Sequence, residues 1–299
     1  TLSAQVASWI SADDSTRNER NTWIEFRKDF RIGHKPRKAE AKIAADSKYW
    51  LWINGENVVF EGSLKRGPDP KGSYYDIVDL APYLKRGKNE LRLLLCHFGR
   101  SGFSHKSSGA SGVIFDAPAV RLYSDASWQS RKLPEYQMAD KPKPNYRLSE
   151  ANIRYDARLV ESGEWKASLE LGKWGDDPWG ELVARPIPLW KDYGVKTAEY
   201  TESYDEQGNI ILSARLPYNM QMTPVIEVTD NNEGTCIRME TDHIMGGSEP
   251  CIRAEYITRN GHQSHESLGW MNGDELRIIY PKDSQVTVHS IGYRETGYN

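Results

Sequence analysis

At 299 residues and roughly 150 residues per domain, the chain has room for two domains, each large enough to bury a core of its own. Thirty-nine basic against 42 acidic side chains leave a formal net charge of −3, which supplies neither the basic field that nucleic acid needs nor the acidic excess of a disordered tail. No run of about 18 apolar residues is present, so no membrane-spanning helix is expected.

The strand signal begins at residues 23–32. Ile24, Phe26, Phe30 and Ile32 take the even positions and Glu25, Arg27, Asp29 and Arg31 the odd ones. That period of two makes one face mostly apolar and the other charged, as a half-buried strand requires. Residues 38–45 repeat the alternation with Ala39, Ala41, Ile43 and Ala45. Segments 49–53 and 58–60 flank Asn54-Gly55, and because both residues tolerate positive φ the pair predicts a β-hairpin. A single helical turn is expected over 79–84, with Asp79 as its cap and Gly87 as its stop. The near-continuous apolar run through Leu91, Leu93, Leu94, Leu95 and Cys96 suits a central strand buried on both faces. Residues 99–112, rich in Gly and Ser, read as an exposed loop, after which short strands resume at 113–115, 120–123 and 128–133.

Pro134, Pro142 and Pro144 break regular structure in the next stretch, and residues 165–190 read as a loop carrying Trp174 and Trp179. Its end, Arg185-Pro186-Ile187-Pro188-Leu189-Trp190, is expected to run extended along a surface, since two prolines forbid ladder donation there. We expect the first domain to span 1–193, with a Trp/Pro-rich linker from about 134, and the second 194–299. In the second, strands recur at 198–204, 210–216, 225–229, 235–241, 251–258, 264–268, 275–280 and 285–293. Turn residues separate them, among them Asn260-Gly261 and Asn272-Gly273. This regularity predicts an all-β chain of two β-sandwiches of the jelly-roll, galactose-binding-like kind, with no helix of three turns.

Cys96, Cys236 and Cys251 are too few, and odd in number, for a disulfide framework, and all three are expected to be reduced and buried. No Cys/His spacing matches a zinc site and none of the seven His sits in a metal-binding pattern, so no metal or cofactor is assigned. A structural calcium held by loop carbonyls would leave no trace in sequence. There is no Gly-x-Ser-x-Gly elbow, no phosphate-cradling loop and no dinucleotide fingerprint, hence no catalytic residue is assigned either.

Ten Trp and sixteen Tyr against six Phe favour rings with a polar edge, which suit sheet faces and sugar-stacking surfaces. The candidate carbohydrate contacts are Trp174, Asp176, Asp177 and Trp179. Indole faces stack on pyranose rings, and carboxylates accept hydrogen bonds from vicinal hydroxyls. The same loop can instead pack its tryptophans against protein. Arg100 and His105, in the 99–112 loop, are further candidates, because long loops between sandwich strands carry function.

Several of these segments resemble a known family. Trp23-Ile24-Glu25-Phe26-Arg27-Lys28-Asp29-Phe30 is similar to the opening strand of bacterial α-L-rhamnosidases, glycoside hydrolase family seventy-eight. Ala45-Asp46-Ser47-Lys48-Tyr49-Trp50-Leu51-Trp52-Ile53-Asn54-Gly55 resembles that family's hairpin, and Tyr75-Asp76-Ile77-Val78-Asp79-Leu80 its next stretch. Arg185-Pro186-Ile187-Pro188 resembles the linker before the second domain. Leu268-Gly269-Trp270-Met271-Asn272-Gly273 and Gly292-Tyr293-Arg294-Glu295-Thr296-Gly297-Tyr298 resemble the last strands before the catalytic barrel. The ordered matches run from about residue 22 to 298.

The resemblance implies a parent enzyme whose helical (α/α)6 barrel carries an acid and a base carboxylate, roughly 6.5–9.5 Å apart as inversion requires. The chain stops where that barrel is expected to begin. The implied role is therefore a non-catalytic N-terminal part, inactive alone, with the barrel as its partner and carbohydrate as a further contact. A self-standing carbohydrate-binding pair and a purely structural pair stay open as alternatives. The start at Thr1-Leu2-Ser3, without Met or a signal-like apolar core, reads as a processed product, and a periplasmic or secreted location is expected.

Overall fold

The computed structural model of the chain describes residues 6–13, 19–64, 72–102, 105–139, 150–242 and 253–298. These form two compact units. The first takes residues up to 133 together with 163–189, and the second takes 134–139, 150–162 and the chain from 190 onward. Two strands from the stretch expected as a linker, Tyr136–Met138 and Ile153–Asp156, pair within the second unit.

The first unit is a sandwich. One sheet runs in the order Leu169–Lys173, Ser8–Ser11, Gly112–Ala117, Glu40–Asp46, Ser73–Asp79, Leu182–Ala184, with Leu122–Tyr123 added on Gly112–Ala117. The other runs Lys166–Ala167, Gln129–Lys132, Thr22–Ile32, Gly87–His97, Lys48–Ile53, Glu56–Ser63. Ile24, Phe26 and Leu93 from one sheet and Ile43, Val113 and Phe115 from the other share one buried core, which is what the period of two prescribes. The hairpin forms at Asn54-Gly55, with φ of 52° and 83°, between Lys48–Ile53 and Glu56–Ser63. The helical turn is a 3-10 turn, Ala81–Tyr83; the Asp79 carboxylate accepts from Ala81 N at 3.1 Å and Ala39 N at 2.8 Å.

The tryptophan loop is more regular than its sequence. Lys166–Ala167, Leu169–Lys173 and Leu182–Ala184 are strands, the second pairing antiparallel with Ser8–Ser11 and the third parallel to Ser73–Asp79. All three lie on sheet edges, and no residue of Leu169–Lys173 is fully buried, so no apolar face marks it in the sequence.

The second unit is built around Asn209–Asp230, a strand of 22 residues. Residues 209–215 and 220–222 pair with Met271–Pro281, residues 222–230 with Val286–Gly297 and residues 225–230 with Gly261–Glu266. The expected break between 216 and 225 is a register shift between Arg215 and Met220, beside Pro217, rather than a loop. Asn272-Gly273, expected as a turn, lies inside Met271–Pro281. A Cβ on Gly273 would come within 2.7 Å of Thr241, so the glycine serves close strand approach there. Leu212, Met220, Met222, Ile226, Met239 and Ile278 share one core. Cys96 is buried, but Cys236 is exposed at the first position of Cys236–Thr241, against expectation; Cys251 lies outside the described residues. Among the described residues no helix is long and apolar enough to cross a membrane.

Candidate carbohydrate-contact site

The two tryptophans of the 165–190 loop part company. Trp179 is wholly buried, stacked on Trp9 with ring centroids 4.4 Å apart and planes 9° apart, and its Nε1 donates to Ala110 O at 3.3 Å. It has no face to offer a sugar. The reason is Trp9 on Ser8–Ser11, whose pairing with Leu169–Lys173 brings the loop onto the sheet. Trp174 stays partly exposed, tilted on Tyr75 at 5.1 Å, with Lys42 Nζ 5.7 Å from its ring and 5.6 Å from that of Tyr75. Lys42 lies opposite Asp116 in the register of Glu40–Asp46 and Gly112–Ala117. Burial pushes the Asp116 carboxyl up, against the pull of Lys42.

Asp176 and Asp177 are exposed, but Asp176 has a structural task. Its Oδ2 accepts from Lys173 N at 2.6 Å, and its carbonyl accepts from Gly180 N at 2.9 Å, so the residue closes the turn that carries Trp174. Asp177 follows on the surface. The grouping with exposed surface is therefore Trp174, Tyr75 and Lys42: aromatic faces and a cation able to stack on a ring and bond its hydroxyls.

The 99–112 loop divides in the same way. Arg100 is exposed, whereas His105 is fully buried, edge-on to Phe98 at 5.2 Å. It faces a buried carboxylate, Asp46. Asp46 Oδ1 accepts from Ser107 Oγ at 3.1 Å and lies 3.0 Å from His97 Nδ1 and 3.9 Å from His105 Nε2, and Oδ2 accepts from Ser108 N at 2.6 Å. Burial opposes ionisation of Asp46, yet His105 and His97 outweigh it and hold the carboxyl well below the usual range. The loop expected to reach a ligand through His105 is instead pinned inward by it. Phe103 and Ser104 lie outside the described residues.

Sequence reasoning gave Asp46, His97, Lys42, Tyr75 and Arg185 no place in a site. Arg185 sends its Nε to Asp76 at 2.5 Å, and Asp76 Oδ2 also accepts from Tyr49 Oη at 2.9 Å and Ser63 N at 2.7 Å. One signal was present: His97 ends an apolar strand, where a polar side chain is buried by its neighbours. No group of three or more His, Cys, Asp or Glu among the described residues is arranged to hold a metal.

No family model and no curated protein matches the chain. Solved structures do. The chain is similar to a GH78 family rhamnosidase of Bacillus sp. GL1 (TM-score 0.79, 15% identity), covering 98% of this chain and 55% of that one. It is also similar to α-L-rhamnosidases of Aspergillus terreus (TM-score 0.66) and Dictyoglomus thermophilum (TM-score 0.62). Both are 18% identical, with 98% of this chain and 36% of the other covered. The chain has the fold of part of these enzymes and spans between about a third and just over half of their length.

Proposed function

We propose that the chain is a non-catalytic supporting part of an α-L-rhamnosidase-type glycoside hydrolase. Its β-sandwich units pack beside a separate helical barrel that removes terminal rhamnose with inversion, shape the rim of that barrel's site and contact the sugar chain. The observation that carries this reading is the likeness in fold over nearly the whole of this chain to only part of several rhamnosidases. A periplasmic or secreted location belongs to the same reading. Reading the coding sequence beyond Asn299 tests the proposal. A continuation of several hundred residues with helical periodicity is expected; a stop codon at that point overturns it.

A self-standing carbohydrate-binding pair is the second reading, favoured by the exposed grouping around Trp174. Titration of the chain with neutral plant oligosaccharides, wild type against Trp174→Ala, separates it from a purely structural role. Loss of binding by tenfold or more in the variant supports sugar contact, and identical curves make the grouping structural.

A further inference from the structure

The outward face of the sheet containing Thr22–Ile32 changes character along the strand. Trp23 and Glu25 are buried; Arg27, two residues on, is exposed. Around Arg27 the registers place one row straight across the sheet: Ala167, Gln129, Arg27, Arg92, Trp52 and Asn57. With strands about 4.8 Å apart, the row spans about 24 Å from first to last.

Two features of this row stand out among the described residues: a like-charge pair across the strands, and guanidinium groups that keep donors free beside indole rings. Arg27 and Arg92 stand directly opposite each other, a like-charge pair that disfavours the sheet. Arg27 makes no hydrogen bond to a carboxylate among the described residues; its guanidinium rests 4.9 Å from the ring centroid of Trp165, which Arg131 also approaches at 4.8 Å. Arg92 bonds Glu25 through Nε and lies 5.3 Å from the Trp52 ring, with nearly half its side chain exposed. Glu25 is shared with Arg131, which donates to it at 2.9 and 2.7 Å. The row therefore holds two guanidinium groups flanked by partly exposed indoles, with amides at Gln129 and Asn57. The acidic row beside it, Asp29 and Glu90, is answered on its far side, where Lys88 bonds Asp29 at 2.8 Å.

We propose that this row binds an acidic saccharide lying across the strands, with a uronate carboxylate between Arg27 and Arg92 and neighbouring rings against Trp52 and Trp165. Planar guanidinium groups match carboxylates in a fork that an ammonium cannot. Indoles on either side favour sugar rings over a bare anion. The inference concerns a different face from Trp174 and stands whether or not that grouping binds sugar.

Calorimetric titration of the full chain with trigalacturonate and with its neutral methyl ester tests it. The acid is expected to bind at least tenfold more tightly than the ester and to weaken as salt rises. Arg27→Gln is expected to lose tenfold or more, and Arg27→Lys to recover only part of it. Arg27 is exposed and its loss strands no buried charge, so the variants fold. Equal binding of acid and ester, no binding of the acid at millimolar concentration, or unchanged affinity in Arg27→Gln overturns the proposal. So does equally tight binding of a sulfated dextran, which would make the row a general anion surface.

Discussion

The two units keep their interiors in order by different means. The first buries charge. Lys48 and Glu61 form an ion pair at 3.0 Å with both side chains almost wholly enclosed, Arg185 reaches Asp76, and Asp46 gathers His97, His105 and two loop serines. The second pairs its buried carboxylates with arginines that reach the surface, Glu240 with Arg238 and Glu255 with Arg154 and Arg253, and fills its core with Met220, Met222, Met239 and Met271 among leucines and isoleucines. Its partly buried histidine, His265, stacks against Tyr256 at 4.5 Å without a charged partner. Buried ion pairs contribute little net stability, since desolvation offsets attraction, but they penalise any arrangement that separates them. A unit that must hold loops at set positions gains from that penalty.

The largest expected effect tests the charged interior. Glu61→Leu leaves the Lys48 ammonium enclosed without its carboxylate and is expected to cost the first unit about 4 kcal/mol, while adding Lys48→Met recovers most of it. Hydrogen exchange at amides 91–96 reads the change locally, which matters because a chain of two units need not unfold in one step. If the single and double variants lose the same amount, the pair is not the source of the cost. In the second unit Met222→Ala removes side-chain volume from a wholly buried position and is expected to cost about 3 kcal/mol, seen at amides 276–279. The first unit should keep its exchange rates.

The smallest effect separates the units by pH. Burial pushes the His265 imidazole down to about 3, below its ordinary value near 6.5. The fold thus favours the neutral ring, and the stability this contributes is full above pH 6.5 and falls as pH drops from 6.5 towards 3. With partial exposure damping the full linkage, the second unit is expected to lose about 2 kcal/mol between pH 6.5 and 4. His265→Phe should flatten that slope at amides 276–279. An unchanged slope would place the acid sensitivity elsewhere.

How far the sequence could be read divides along physical lines. The hairpin at Asn54-Gly55 and the alternating strand Thr22–Ile32 were legible because local backbone preference and one-sided burial act within a few residues. The edge strand Leu169–Lys173 was not, since its pairing with Ser8–Ser11 depends on residues more than 150 positions away. Nor did local sequence separate Trp174 from Trp179: both sit in the same loop, and only the stack on Trp9 decides which is core. His105 misled for a similar reason. Its Ser/Gly-rich surroundings suggest an exposed tip, while Asp46, remote in sequence, draws it inward. Asn272-Gly273 carries the chemistry of a turn, yet tight packing against Thr241 uses the same glycine within a strand.

The proposal that these sheets support glycoside hydrolysis without performing it is tested most directly by incubating the purified chain with an aryl α-L-rhamnoside. No release of the aryl group above the uncatalysed rate is expected at any pH from 4 to 8. Turnover that co-purifies with the chain and rises in proportion to its concentration would contradict the account.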